Sequence, residues 1–263
     1  MSTCLQLVLL QPDGSPIQEP ILGIGRTGVI VQHSGTALKL PLKYRTAGLS
    51  KPSIRYWNNQ TEISHESLRR EKEIYQRLDQ CYGIVPCLDL SNVGIRMALM
   101  INGNLYNYLT KHQPAKTIQL TWFREMARTL VYIHDLCVIV ADIATRNFLL
   151  AADLSVKFSD FSESSILSLG TNMETVEDTG YSIYTDIGQL GAVMYEVITR
   201  QPCEFDLFKD RPPGPATAAW PRRETLPSTQ NIWLGSVIEK CWTKKAFQNA
   251  HELLEMLDSI VLE

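Results

Sequence analysis

The sequence predicts an α+β protein, with strands gathered in its first third and helices in the remainder, and three observations carry that expectation. Leu22-Gly23-Ile24-Gly25-Arg26-Thr27-Gly28 leads into the β-branched Val29-Ile30-Val31, then through His33-Ser34-Gly35 into Thr36-Ala37-Leu38-Lys39-Leu40, which reads strand, turn, strand. From Leu105 onward the apolar spacing turns helical and stays so. Between the later helices lies one short hairpin, Phe148-Leu149-Leu150 and Val156-Lys157-Phe158, with Ala151-Ala152-Asp153-Leu154 available to turn.

The 263 residues suffice for one large domain or two lobes. Charged residues at 20% and hydrophobic residues at 44% are ordinary for a globular protein, and the net charge of −3 argues against a general polyanion binder, so no nucleic-acid partner is expected. The six cysteines form no Cys-x-x-Cys pair, which disfavours zinc and a disulfide framework and favours free thiols in a reducing compartment. Residues 1–10 lack the basic lead-in of a signal peptide, and no run approaches the ~20 apolar residues of a membrane span. An intracellular location, cytoplasmic or nuclear, with no membrane partner, is the expectation.

In chain order, residues 5–10 read as a strand ended by the turn Pro12-Asp13-Gly14. The Gly-x-Gly-x-x-Gly that follows does not open a helix. No Asp or Glu lies between Pro20 and Thr61 to take a ribose hydroxyl, so a dinucleotide fold is disfavoured. Arg26, Lys39, Lys43, Arg45, Lys51 and Arg55 surround the glycines with positive charge suited to phosphates, although a glycine hairpin can equally be only a tight turn. Residues 41–60 show no clear period and read as a polar loop. Ser64 is the expected N-cap of the next helix, on which Leu68, Glu71, Tyr75 and Leu78 share a face. A carboxylate amid an apolar stripe needs a cation, and Lys39 is the candidate; otherwise Glu71 sits at a solvated edge.

Ile84-Val85 and residues 95–100 read as strands, broken by Asn102-Gly103-Asn104. Thr121 is the expected cap of a helix with Phe123, Met126, Ala127, Leu130 and Ile133 on its apolar face, and His134 extends that face as a structural histidine. Residues 162–182 read as an irregular surface segment. Asp186 opens a helix over 187–198 that is apolar on nearly all sides and therefore buried. Residues 212–221 form a proline-rich connector, and amphipathic helices around 232–242 and 250–262 close the chain.

The chemistry centres on Asp142, Asn147 five residues later, and Asp160 thirteen after that. Asn147 leaves one end of the expected hairpin and Asp160 the other, placing a carboxamide beside a carboxylate. Two oxygen ligands near a third carboxylate suit magnesium bound to phosphates, whereas an ordinary surface turn is the plainer alternative.

The order glycine hairpin, strand lysine, helix glutamate, extended connector, helical lobe, Asp–Asn–Asp hairpin, buried helix resembles the eukaryotic-type protein kinase family over nearly the whole chain. The resemblance implies a bilobal fold. Residues 1–20 would be an N-terminal extension, 21–101 a small β-rich lobe with one main helix, and 102–263 a larger helical lobe. It implies ATP and Mg2+ as cofactors and a protein substrate. Gly23, Gly25 and Gly28 would close over the phosphates, Lys39 would hold them, and Glu71 would position Lys39. Leu22, Ile30, Ala37, Met97, Ala98 and Met100 would border the nucleotide, with Met97 at the back of the adenine pocket. Asp142 would act on the substrate hydroxyl, Asn147 and Asp160 would bind magnesium, and Asp186 would brace the loop around Asp142. The five chemical residues would then converge on one cleft.

The departures are specific. His-Arg-Asp is Val140-Ala141-Asp142 here, which removes the arginine that reads a phosphorylated activation segment. Asp-Phe-Gly is Asp160-Phe161-Ser162. The segment before Asp186 is short, Glu174 stands in for a family glutamate, and its usual arginine partner is missing from residues 246–251. Arg146 sits as in tyrosine kinases but does not decide between Ser/Thr and Tyr acceptors. An active protein kinase is the leading expectation. A pseudokinase scaffold and a small-molecule kinase are the alternatives.

Overall fold

The computed structural model describes residues 8–209 and 217–262. They form two compact units, one running to Gln80 and taking in Pro86–Leu99, the other holding Cys81–Val85 and the chain from Met100 onward.

In the first unit, β1 (Ile21–Ile24), β2 (Val29–His33), β3 (Thr36–Leu40), β4 (Cys87–Leu90) and β5 (Ile95–Met97) make one antiparallel sheet in the order β1-β2-β3-β5-β4. Successive side chains of β3 face opposite ways, which separates Leu38 and Leu40 from Ala37 and Lys39. Leu40 joins Val29, Val31 and Leu42 in a core, and Leu9, Ile17, Leu38 and Tyr44 pack against it. Of the expected strand over residues 5–10, the first three residues lie outside the described chain, and among the rest Leu9 and Leu10 form isolated bridges.

The one helix among the described residues of this unit, α1 (Lys51–Leu78), replaces the polar loop expected over residues 41–60 for much of its length. Ser50 caps it and Pro52 sits in its first turn, where a missing N–H does no harm. The inward stripe is Ile54, Trp57, Thr61, Ser64, Leu68, Glu71, Tyr75 and Leu78, each at least half-buried. Thr61, Ser64 and Glu71 interrupt its hydrophobicity, so the period is hidden although the 3.6-residue spacing is intact. Ser64, expected as the N-cap, is a buried residue in the middle of the helix.

The second unit carries α2 (Leu105–Lys111), α3 (Lys116–Asp135), α4 (Ile183–Thr199), α5 (Gly235–Trp242) and α6 (Ala250–Asp258). Helix α3 packs on α6, and α4 packs on α5. Asn104 caps α2, its side chain accepting the Asn107 N–H. Helix α3 begins five residues before the expected cap Thr121, after an Ala115 that makes no capping bond. Gln119, buried in its first turn, bonds the Pro114 carbonyl at 2.9 Å instead. Helix α4 begins at Ile183, before Asp186, with a reciprocal capping box between Ser182 and Thr185.

The expected hairpin is present as β7 (Phe148–Leu150) and β8 (Val156–Phe158), pairing Phe148 with Phe158 and Leu150 with Val156. Its turn closes by Ala151 N–H to the Ser155 carbonyl. Ile84-Val85 is not a free-standing strand; Ile84 forms a parallel bridge with Phe158, and Val85 N–H donates to the Phe158 carbonyl. The segment over 162–182 is irregular except where β9 (Ser165–Ile166) pairs with β6 (Val138–Ile139). Of the proline connector, residues 212–216 lie outside the described chain. Among the described residues no helix is long and apolar enough to cross a membrane.

Candidate functional site

In the first unit the glycine hairpin folds on itself, Gly25 N–H donating to the Gly28 carbonyl at 2.8 Å. A Cβ on Gly28 would lie 3.1 Å from the Leu40 carbonyl and 3.2 Å from Lys39 Cε, so a side chain there would crowd β3 unless its neighbours gave way by a few tenths of an ångström. Gly23 and Gly25 differ. A Cβ on Gly23 would meet nothing within 4 Å, the nearest atom to one on Gly25 is 3.8 Å away, and neither residue has a left-handed φ. Packing within the unit does not explain these two glycines. They leave bare backbone that a ligand can approach closely, beside Leu22 and Ile24, which are exposed.

Below the hairpin, Lys39 Nζ lies 2.6 Å from Glu71 Oε2, with side-chain exposures of 4% and 1%. The partner expected for Glu71 is the one found. Ser64 Oγ, two turns N-terminal of Glu71, accepts the Leu42 N–H at 2.7 Å and donates to the Thr27 carbonyl at 2.6 Å. One hydroxyl thus ties α1 to the end of β3 and to the glycine turn. Met97 is paired with Ala37 across β5 and β3, and the Tyr75 hydroxyl donates to its Sδ at 3.3 Å. Ala98 N–H, on the expected connector, donates to the Pro86 carbonyl at 2.9 Å. The positive field around the glycines is weaker than the residue count implies, because Lys39 is paired with Glu71 and Lys43 Nζ bonds the Pro12 carbonyl.

In the second unit the loop between β6 and β7 is held from α4. Asp186, fully buried, accepts the N–H groups of Val140 and Ala141, both at 2.8 Å, and pairs with His134 Nε2 at 2.9 Å. Because the carboxylate only accepts, His134 Nε2 is the donor, and the histidine is structural as expected. Gln189, one turn on, bonds the Ala141 carbonyl and the Ile143 N–H. Ala141 itself sits at φ 67°, a left-handed conformation that strains an alanine by about 1 kcal/mol.

Within that loop, Asp142 Oδ1 receives Arg146 Nη2 at 2.5 Å and Oδ2 receives Asn147 Nδ2 at 2.9 Å. Asn147 Nδ2 also donates to the Asp142 carbonyl, which turns the amide oxygen of Asn147 away as the atom left over. Ser159 N–H and Oγ both bond the Asn147 carbonyl, so Asp160 is the residue immediately after one tied to Asn147. Asp160 is left-handed at φ 63° and accepts the Ser162 N–H at 3.2 Å. Ser162, which replaces the family glycine, lies outside the positive-φ residues and needs no glycine freedom. An amide oxygen and a carboxylate are hard donors of the kind magnesium takes when phosphates and water complete its shell. Among the described residues no cluster of three His, Cys, Asp or Glu could hold a metal by protein ligands alone.

The exposed Glu174 carboxylate accepts from Asn249 Nδ2 at 3.1 Å, a neutral partner where the family pairs an arginine. Sequence reasoning missed Gln189 and Glu196, whose Oε2 accepts the Thr145 hydroxyl at 3.0 Å, and gave Ser64 a capping role in place of its buried mid-helix one. A polar residue inside the apolar run of α4 was the available signal for Gln189 and Glu196.

Residues 53–251 match the protein tyrosine and serine/threonine kinase family. Among similar curated proteins, the serine/threonine-protein kinase STY17 of Arabidopsis thaliana is 24% identical over 77% of this chain and 38% of its own length. The tyrosine-protein kinase TXK of Mus musculus is 28% identical over 56% of this chain and 32% of its own. The serine/threonine/tyrosine-protein kinase HT1 of Arabidopsis thaliana is 27% identical over 62% of this chain and 47% of its own. The chain therefore spans about a third to a half of the length of these relatives.

Proposed function

The chain belongs to the protein tyrosine and serine/threonine kinase family, and on that premise we propose that it is an active ATP- and magnesium-dependent kinase that phosphorylates a protein hydroxyl. The observation that carries this reading is the buried Lys39–Glu71 pair. A buried ion pair adds little to stability compared with apolar residues of the same volume, so its presence points to a task for the lysine charge. That task is to hold nucleotide phosphates under bare glycine backbone, with Glu71 fixing the Nζ position.

Asp142 orients the substrate hydroxyl and accepts its proton. Its two occupied lone pairs, taken by Arg146 and Asn147, fix the carboxylate while leaving others for the substrate. Arg146 brings a positive charge to the same carboxylate and offsets charge on the transferred group. Asn147 and Asp160 would hold Mg2+, which when bound neutralises charge on the phosphates. Relatives of both acceptor types share similar identity with this chain, so the proposal takes Ser/Thr or Tyr as the acceptor.

The test is transfer of labelled γ-phosphate to generic protein or to the chain itself, against Asp142→Asn; equal signal from both ends the proposal. Val140-Ala141 and Ser162 favour the second reading, a nucleotide-binding scaffold without turnover. A thermal shift with Mg-ATP and no transfer to any substrate would support that reading instead.

A further inference from the structure

Asp186 and Gln189 stand one turn apart on α4 and therefore face the same way. Asp186 takes the N–H groups of Val140 and Ala141. Gln189 takes two more backbone groups: its Nε2 donates to the Ala141 carbonyl at 2.8 Å, and its Oε1 accepts the Ile143 N–H at 3.1 Å. These two groups belong to the peptide units on either side of Asp142. A single planar carboxamide thus grips both peptide planes of that residue, and with them the direction of its Cα–Cβ bond.

Within the loop, Asn147 Nδ2 reaches only the second of these peptide units, at the Asp142 carbonyl, and among the described residues no loop side chain bonds both. Val140 and Ala141 have no polar side chain, and Ala141 is held in a strained left-handed conformation. We infer that Gln189 is a positioning residue for phosphoryl transfer, acting through Asp142 by fixing the backbone on both sides of it. The inference rests on the kinase reading above. It requires a side chain that donates and accepts at once. Leucine does neither, and an ionised glutamate only accepts, setting its charge against the Ala141 carbonyl. A protonated glutamate again has one donor and one acceptor.

The experiment compares wild type, Gln189→Leu and Gln189→Glu. In Gln189→Leu, kcat falls about ten- to a hundred-fold, as for a misplacement on the order of 1 Å, while KM for ATP changes less than about two-fold. In Gln189→Glu the deficit relative to wild type shrinks as pH is lowered through the glutamate range, a dependence that loss of packing alone does not produce. Residue-resolved hydrogen exchange gives a readout independent of activity. The Ile143 amide exchanges at least about ten-fold faster in Gln189→Leu, while the Val140 and Ala141 amides, held by Asp186, keep wild-type rates. Wild-type transfer with unchanged kcat in Gln189→Leu, or an unchanged Ile143 amide, overturns this inference and leaves the kinase reading standing. A wild type that transfers no phosphate overturns the kinase reading, and the positioning role with it.

Discussion

Lys39 Nζ and Glu71 Oε2 meet at 2.6 Å with side-chain exposures of only 4% and 1%. Removing one partner strands the other as a buried charge, which costs about 3–5 kcal/mol, whereas replacing both with apolar residues is close to neutral. Lys39→Met is therefore expected to lower unfolding stability by that order, and Lys39→Met with Glu71→Leu to recover most of it. Neither variant transfers phosphate. Chemical denaturation of the two variants alongside a transfer assay checks both halves; a double variant that transfers phosphate would contradict the role given to Lys39.

Ser64 is expected to matter far more than a helix serine usually does. Ser64→Ala strands the Leu42 N–H and the Thr27 carbonyl, both on buried residues. A loss of about 1–3 kcal/mol follows for two unsatisfied buried groups. Amide exchange of residues 24–29 should also rise, because Thr27 loses its anchor to α1. A stability change within about 0.5 kcal/mol, the range for ordinary surface sites, would contradict this.

Glu196 provides a pH signature. Burial pushes its carboxyl above the ordinary glutamate value of 4.5, against the opposing pull of the Thr145 hydroxyl bond and the Arg146 charge. The folded state then holds the proton more tightly than the unfolded chain. The associated stability is present below the ordinary glutamate value and is lost as pH rises through the raised folded value. Gln at this position keeps an acceptor for Thr145 and does not titrate. The Tm of Glu196→Gln minus that of wild type should therefore increase as pH is raised from about 4 to about 7. A flat or falling difference would contradict the assignment.

Much of the first unit could be read in advance because β-branched residues and glycines mark strands and turns locally. The paired arrangement of β2 and β3 followed that logic. In the second unit the 148–158 hairpin was legible from two short apolar runs around a turn, and α4 from a run apolar on nearly all sides. The first half of α1 was illegible because Thr61 and Ser64 occupy inward positions that a periodicity argument expects to be apolar. Strand β4 was missed because its two middle residues are exposed and its burial does not alternate. At the site, Asp142, Asn147 and Asp160 stood out by spacing, and Asp186 by resemblance. Gln189 did not, since its partners lie 46 and 48 residues away and only the folded chain brings them together.

The central claim is tested most directly by mass spectrometry of phosphosites after incubation with Mg-ATP, on wild type, Asp142→Asn and Lys39→Met. The account predicts phosphorylated hydroxyls with the wild type that both substitutions abolish. Phosphosites at equal occupancy in all three samples, or none with the wild type across a broad set of protein substrates, would contradict it.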